Sequence, residues 1–222
     1  MNIIPVIAID GPSASGKGTI AQLVATELGF HYLDSGALYR IVALAGKQAG
    51  ISWQDEAALA TMATGMEIFF ENGEIYLDST MVSTAVRSEE MSKGASEVAV
   101  HPQVRRALLD LQHSFRKAPG LVADGRDMGS VVFPDAQTKI FLTACAEVRA
   151  ERRYKQLIDK GNHANLAQIL ADIEARDTRD MQRNAAPLRQ CEDASLLDTS
   201  HLTIAQAVDT ALAAYRKNSH QV

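Results

Sequence analysis

Val6-Ile7-Ala8-Ile9-Asp10-Gly11-Pro12-Ser13-Ala14-Ser15-Gly16-Lys17-Gly18-Thr19 is the stretch that decides the fold. Its first four residues are apolar and rich in β-branched side chains, the composition of a buried strand. A glycine-rich turn follows. Beyond it Ile20, Leu23, Val24 and Leu28 recur at helical spacing, and Gly29 suits the stop. The order is strand, loop, helix. Gly11 and Gly16 let the backbone turn tightly and come close to a ligand. The loop's N–H groups and the helix N-terminus then face one anion. The spacing Gly11-x4-Gly16-Lys17 fits a phosphate loop, in which the lysine reaches the β- and γ-phosphates of a nucleotide and a hydroxyl holds Mg2+. Residue 18 is glycine, and the hydroxyl comes one place later, at Thr19. A glycine-rich turn with a chance lysine is the plain alternative; the flanking strand and helix argue against it.

The chain has 222 residues, enough for one sizeable core plus insertions. Hydrophobic residues make up 46% and charged residues 22%, as in soluble globular proteins. A net charge of −5 and a pI near 5.7 argue against a general nucleic-acid or membrane surface. Cys145 and Cys191 lack metal-ligand spacing and read as free thiols. No basic region precedes an apolar run at the N-terminus, and no apolar stretch reaches spanning length. The expectation is a cytoplasmic monomer with no membrane or nucleic-acid partner.

Along the chain, Phe30 to Asp34 reads as a short strand, and Ser35-Gly36-Ala37-Leu38-Tyr39-Arg40 leads into a helix around Ile41 to Lys47. Ser52 reads as the N-cap of a helix running to about Met66, with Asp55 three places on. The texture then changes. Glu67 to Asp78 holds two strand-like runs around Asn72-Gly73, a hairpin signal, and Met81-Val82 offers a third strand. An antiparallel hairpin breaks the βα alternation and reads as an inserted subdomain. Helical stretches follow at Ser88 to Val100 and Pro102 to Phe115, with Pro102 in a first-turn position. Leu121 to Asp124 and Lys139 to Thr143 read as strands, Glu147 to Lys160 and Leu166 to Arg183 as helices, and Leu196 to Thr199 as the last strand. Thr203 caps a final helix through Tyr215. About five strands with nearly continuous apolar runs suit a parallel sheet covered on both faces, with ligands at the carboxyl ends of the strands. Those ends carry the phosphate loop, Asp34-Ser35, Asp124-Gly125-Arg126-Asp127 and Asp198-Thr199-Ser200.

Six arginines fall between residues 149 and 183: Arg149, Arg152, Arg153, Arg176, Arg179 and Arg183. For Arg149 and Arg152 the favoured reading is a solvated helix face paired with neighbours such as Glu147 and Glu151. Arg176, Arg179, Asp180 and Arg183 lie three, four and seven apart and share a helix face. Three guanidiniums on one face repel each other unless an anion sits among them, and phosphoryl transfer needs such groups. Asp124-Gly125-Arg126-Asp127-Met128-Gly129 reads either as a glycine turn with its own ion pair, or as a phosphate-binding Arg126 beside an Asp127 that accepts from a base. Asp34-Ser35-Gly36 with Arg40 is either a helix N-cap and a surface charge or a second anion site. The six histidines show no ligand-like pairing.

Gly-Lys-Gly-Thr at 16–19 resembles nucleoside-monophosphate kinases more than GTPases. Taken in order, Ile9 to Thr19, Leu33 to Arg40, Ala123 to Gly129 and Arg176-Asp177-x-Arg179-Asp180 resemble the bacterial cytidylate kinases, over about residues 5–215. The resemblance implies a parallel five-stranded α/β core with helices on both faces at 1–62, 116–146 and 184–222. It adds an NMP-binding insertion with a small antiparallel sheet at about 63–115 and a short helical lid at about 147–183. It implies transfer of the γ-phosphoryl of ATP to CMP or dCMP, with Mg2+, in pyrimidine nucleotide metabolism. Gly11, Pro12, Ser13, Ala14, Ser15, Gly16, Lys17, Gly18 and Thr19 would hold the ATP phosphates. Arg40 and Arg126 would grip the CMP phosphate, with Ser35 beside it. Ser96, Arg105, Asp127 and Arg183 would face cytosine, and Arg176 and Asp180 the sugar. Arg153 and Arg179 would be lid arginines, and Lys17 would follow the phosphoryl. Thr19 is the expected metal ligand, with Asp34 and Asp124 acting through water.

The nearest rival is a phosphate-loop kinase for another small acceptor, such as UMP, AMP or a metabolite. A GTP-hydrolysing switch needs an Asn-Lys-x-Asp stretch, which the sequence lacks. An inactive phosphate-binding module is opposed by Lys17 and the arginine octet at 176–183.

Overall fold

The computed structural model describes residues 4–71, 73–159, 161 and 163–219, and the chain divides into two compact units. One unit comprises residues 1–33 and 115–222, the other Asp34–Ser114.

The chain begins with β1 (Val6–Asp10), the phosphate loop, α1 (Lys17–Leu28) and β2 (His31–Asp34). The second unit follows: α2 (Ser35–Gln48), α3 (Glu56–Gly65), β3 (Ile68–Glu71), β4 (Glu74–Leu77), β5 (Thr80–Met81), α4 (Ser83–Val86), α5 (Glu89–Val98) and α6 (Pro102–Ser114). The chain then returns through β6 (Leu121–Gly125), a π-helical turn at Met128–Val132, β7 (Thr138–Thr143), α7 (Ala146–Asp159), α8 (Leu166–Gln182), β8 (Ser195–Asp198) and α9 (Ile204–Ser219).

The expected parallel five-stranded sheet is present, in the order β2-β6-β1-β7-β8. β1 is central and buried at all five positions, which explains its unbroken apolar run. Its neighbours run parallel, with Asp10 opposite Gly125 on β6 and Phe141 on β7. Strand alternation sorts its side chains. Ile7 and Ile9 join Val122, Ile140, Leu142 and Leu197 in a core closed by Ile20 and Val24 of α1 and by Ala207, Ala211 and Leu212 of α9. Ala8 and Asp10 therefore point to the opposite face, where the π-helical turn packs on β1. Burying each large core side chain contributes about 1.5–3 kcal/mol. α9 begins with the expected cap: Thr203 Oγ1 accepts from Gln206 N at 3.3 Å, and Gln206 Oε1 accepts from Thr203 N at 3.0 Å.

In the second unit, β3, β4 and β5 form the small antiparallel sheet, Ile68 pairing with Leu77 and Tyr76 with Met81. Of the Asn72-Gly73 turn, Asn72 lies outside the described residues, and Gly73 has φ +80°. The N-cap of α3 is Asp55, not the expected Ser52. Asp55 Oδ1 accepts from Ala58 N at 3.1 Å, while the Ser52 hydroxyl is engaged by Gln54. A carboxylate one residue before the helix reaches the first-turn amides, and a hydroxyl four residues before it does not. Asp34 caps α2 through Ala37 N at 3.0 Å, so that helix starts at Ser35, earlier than the sequence pattern shows. α4 is a single turn that carries no periodic signal. This unit begins at Asp34 and takes in α2 and α3, whereas the resemblance set the insertion at about residue 63.

Candidate active site

The phosphate loop leaves β1 and enters α1 through residues that prefer no ordinary backbone. Gly16 caps α1 in the left-handed region, at φ +90°, and Ala14 adopts φ +58°. Ala14 costs on the order of 1–3 kcal/mol in that region and persists only where its surroundings hold it. Gly11 answers to a neighbour rather than to a turn: a Cβ there would stand 1.9 Å from the Leu142 carbonyl oxygen on β7. Lys17 opens α1, and its ammonium donates to the Pro12 carbonyl at 3.4 Å. The side chain thus lies back along the loop, where a β- or γ-phosphate is within its reach.

What holds Ala14 comes from α7, and it corrects the expectation for Arg149 and Arg152. Neither lies on a solvated face. Arg149 is 5% exposed and donates to Ala144 O at 2.9 Å, Ser13 O at 3.1 Å and Asp177 Oδ2 at 2.6 Å. Arg152 donates to Ser15 O at 3.1 Å and to Thr199 O at 2.6 Å. Two guanidiniums therefore grip the loop carbonyls on either side of Ala14. Holding those carbonyls outward fixes the peptide planes of the loop, and adds positive charge behind an anion site. Charge alternation with Glu147 and Glu151 gave no sign of this. The i, i+3 spacing of Arg149 and Arg152 is compatible with one shared target as well as with solvent.

Five expected acceptor residues of the first unit come together. Arg126 Nε donates to Asp180 Oδ2 at 2.8 Å, and Arg176 Nε lies 3.9 Å from the same oxygen. Arg183 Nη2 lies 3.9 Å from Asp127 Oδ1, and its Nε donates to Ala186 O at 2.8 Å. Asp127 and Asp180 are 2% and 4% exposed. Burial acts to raise Asp180, yet Arg126 first, then Arg176 and Arg183, hold its carboxyl below the usual carboxylate range. Burial likewise opposes the charge on Arg126, and Asp180 outweighs it, so the guanidinium is held more firmly protonated than usual. Asp124 and Asp177 also act on Arg126, so the buried cluster is a dense set of opposed charges in which guanidinium donors stand close together. Arg179, on the same helix, is exposed, and Arg153 of α7 donates to Gln156 Oε1 at 3.3 Å.

Two more carboxylates sit at the carboxyl edge of the sheet. Tyr32 donates its hydroxyl to Asp124 Oδ2 at 2.5 Å, and both stand beside Gly18, where a Cβ would lie 3.5 Å from each. Asp10, which the sequence reading left without a role, is 6% exposed; Oδ1 accepts from Met128 N and Oδ2 from Gly129 N, each at 2.8 Å. Burial raises its pKa to about 6 despite those two bonds. Among the described residues no three His, Cys, Asp or Glu side chains form a metal cage. Asp124 is a buried carboxylate at the end of β6, the donor type that Mg2+ takes when phosphate oxygens and water complete its shell. Thr19 is exposed and stands two residues beyond Lys17, on the other side of the helix turn.

In the second unit, Ser35 is buried and its hydroxyl accepts from Gln112 Nε2 at 3.0 Å. Arg40 donates to Val86 O and Ser92 Oγ, each at 3.3 Å. Arg105 donates to Ala99 O at 3.1 Å and lies over the Tyr39 ring, 5.6 Å from its centroid. The Ser96 hydroxyl is buried with no hydrogen-bond partner among the described residues, which leaves it available to a ligand.

The family model for cytidylate kinase matches residues 7–217. The cytidylate kinase of Cupriavidus necator is 59% identical over 96% of this chain and 96% of its own length. That of Chromobacterium violaceum is 60% identical over 94% of both chains. Among solved structures, a gluconokinase from Sinorhizobium meliloti 1021 has the same fold, with a TM-score of 0.53 and 14% identity over 100% of this chain and 97% of that one.

Proposed function

The chain belongs to the cytidylate kinase family, whose reaction moves the γ-phosphoryl of ATP to CMP or dCMP, and from that premise we propose how its residues divide the work. Residues 11–19 hold the ATP phosphates, with Arg149 and Arg152 bracing the loop from behind. Lys17 stabilises the phosphoryl as its charge redistributes in transfer. Arg126 and Arg40 bind the CMP phosphate, with Ser35 beside it. Asp127, Arg183, Arg105 and Ser96 read the cytosine, and Arg176 and Asp180 hold the sugar. Arg153 and Arg179 of the 147–183 lid act when it closes over the nucleotides. No general base is required, because the acceptor phosphate is already anionic at pH 7. Mg2+, when bound, would neutralise phosphate charge, and Thr19 would hold it together with Asp124 and Asp34 acting through water. The insertion at 63–115 contributes Ser96 and Arg105 to acceptor recognition, and the enzyme works as a cytoplasmic monomer in pyrimidine nucleotide metabolism.

The observation that supports this reading best is the buried cluster of Arg126, Arg176 and Arg183 around Asp127 and Asp180. The test is incubation with ATP, Mg2+ and a panel of monophosphates, following ADP. CMP and dCMP should be converted far faster than UMP or AMP; a preference for UMP or AMP would overturn the acceptor assignment.

A further inference from the structure

Asp10 is the last residue of β1 and the immediate neighbour of the phosphate loop, yet its carboxylate is turned away from that loop. Alternation along β1 places it on the face opposite Ile7 and Ile9, against the π-helical turn. There it caps the turn with both oxygens, through Met128 N and Gly129 N. The turn needs that cap. Its wide ladder starts at Asp127 O, which accepts from Val131 N at 2.9 Å and Val132 N at 3.2 Å. The two amides at its head have no acceptor within the turn itself. The residues immediately before them are Arg126 and Asp127.

The phosphate loop has other supports. β1 is held by ladders on both sides down to Asp10. Gly11 N donates to Gly125 O at 3.3 Å, and Arg149 and Arg152 hold the loop carbonyls. None of these uses the Asp10 side chain.

We propose that Asp10, although it heads the ATP-binding motif, is a positioning residue for the acceptor nucleotide, acting through the turn that presents Arg126 and Asp127. The proposal rests on the reading of those two residues as acceptor-binding. Its signature is a selective loss: CMP affinity falls while ATP affinity stays.

The experiment is Asp10→Asn, with CMP and a non-hydrolysable ATP analogue each titrated by calorimetry and KM measured for both substrates. Asparagine keeps the shape and one acceptor, but its NH2 confronts the second amide. The expected result is a CMP Kd and KM raised about tenfold or more, the scale of one lost charge-assisted bond, with the ATP-analogue Kd unchanged. An equal loss for both ligands, or a loss for neither, overturns the proposal. Asp10→Ser is the second variant, for use if Asp10→Asn is insoluble. Its single short hydroxyl cannot replace both carboxylate oxygens at Met128 N and Gly129 N, and the backbone supports of the loop are untouched. The same selective loss supports the proposal, and its absence overturns it. Arg126→Ala runs in the same titrations to separate the two readings. Loss of CMP affinity in Arg126→Ala with none in Asp10→Asn overturns the role of Asp10 alone. Loss in neither overturns the acceptor reading beneath it as well.

Discussion

Arg149 of α7 places Nη2 2.6 Å from Asp177 Oδ2 on α8, while its Nη1 holds the Ser13 carbonyl of the phosphate loop at 3.1 Å. One buried side chain thus ties the phosphate loop to the helix that carries Arg176, Arg179 and Asp180. Removing it leaves a buried carboxylate and a loop carbonyl without their donor. Arg149→Ala should therefore cost about 3–5 kcal/mol of stability, the scale for breaking a buried ion pair. Adding Asp177→Asn should restore part of that loss, because the stranded charge goes with it. Urea unfolding of both single variants and the double variant checks this; strictly additive losses would mean that the pair is not coupled.

Lys17→Ala should lower kcat by about 100-fold or more with little change in stability, since the ammonium acts on charge that moves in the transition state. In the structure its ammonium reaches the Pro12 carbonyl at 3.4 Å, beside the loop it serves. Near-normal turnover would remove Lys17 from the chemistry.

Arg179→Ala separates the exposed arginine from the buried ones. It should lower kcat and leave CMP KM nearly unchanged, because a lid arginine acts mainly after closure. Its melting temperature should match the parent, as its side chain is exposed. A rise in CMP KM alone would place Arg179 with the acceptor-binding residues.

The pH dependence of stability isolates Asp10. Its pKa in the folded chain is about 6, against an ordinary 3.8. Between those values the native chain keeps a proton that the unfolded chain has released. Stability from this group therefore falls as pH rises through the window and stays lower above it, by about 3 kcal/mol in all at 1.36 kcal/mol per pH unit. Asp180 runs the other way: its lowered pKa gives stability that is full above 3.8 and is lost as pH falls. Urea midpoints of the parent and Asp10→Asn, compared from about pH 4.5 to 7, should converge or cross as the parent loses its advantage. A difference that does not change with pH would mean that Asp10 is already ionised at low pH.

Sequence reading reached what is written in short-range pattern. The phosphate loop, the strand before it and the helix after it are contiguous, so Gly11 to Thr19 are legible without knowledge of the fold. Helical spacing puts Arg176 and Asp180 together, but it also puts Arg179 on their face, and Arg179 is exposed; Arg183 lies past the end of α8 in extended backbone, so its place beside Asp127 comes from the chain leaving the helix. Arg149 and Arg152 were misplaced because the same spacing serves a solvated face and a face packed on the loop, and only the tertiary path of α7 decides. Asp10 was passed over because its partners, Met128 and Gly129, offer backbone amides, which leave no trace in residue type. Gly11 owes its identity to the β7 backbone 1.9 Å from where a Cβ would stand, which no local pattern records.

The last prediction concerns how cytosine is chosen. Cytosine presents an amino donor at position 4 and an acceptor at ring nitrogen 3, whereas uracil presents an acceptor and a donor at the same places. A carboxylate accepts from the cytosine amine and repels the uracil carbonyl, while an arginine suits the cytosine ring nitrogen and meets the uracil N–H badly. Asp127 and Arg183 form such a pair, buried and 3.9 Å apart. A site that leaves buried polar groups unpaired against the wrong base rejects it strongly. Asp127→Ala should therefore narrow the CMP over UMP ratio of kcat/KM by roughly 1–3 kcal/mol, with the loss falling mainly on CMP. Asp127 also stands in the chain beside Arg126, so its loss should lower the overall rate too. The ratio distinguishes the two contributions, because a misplaced phosphate-binding arginine harms every monophosphate alike. Kinetics with both acceptors decide it: a uniform fall in rate with an unchanged ratio would make Asp127 a support for its neighbouring arginines and not a reader of the base.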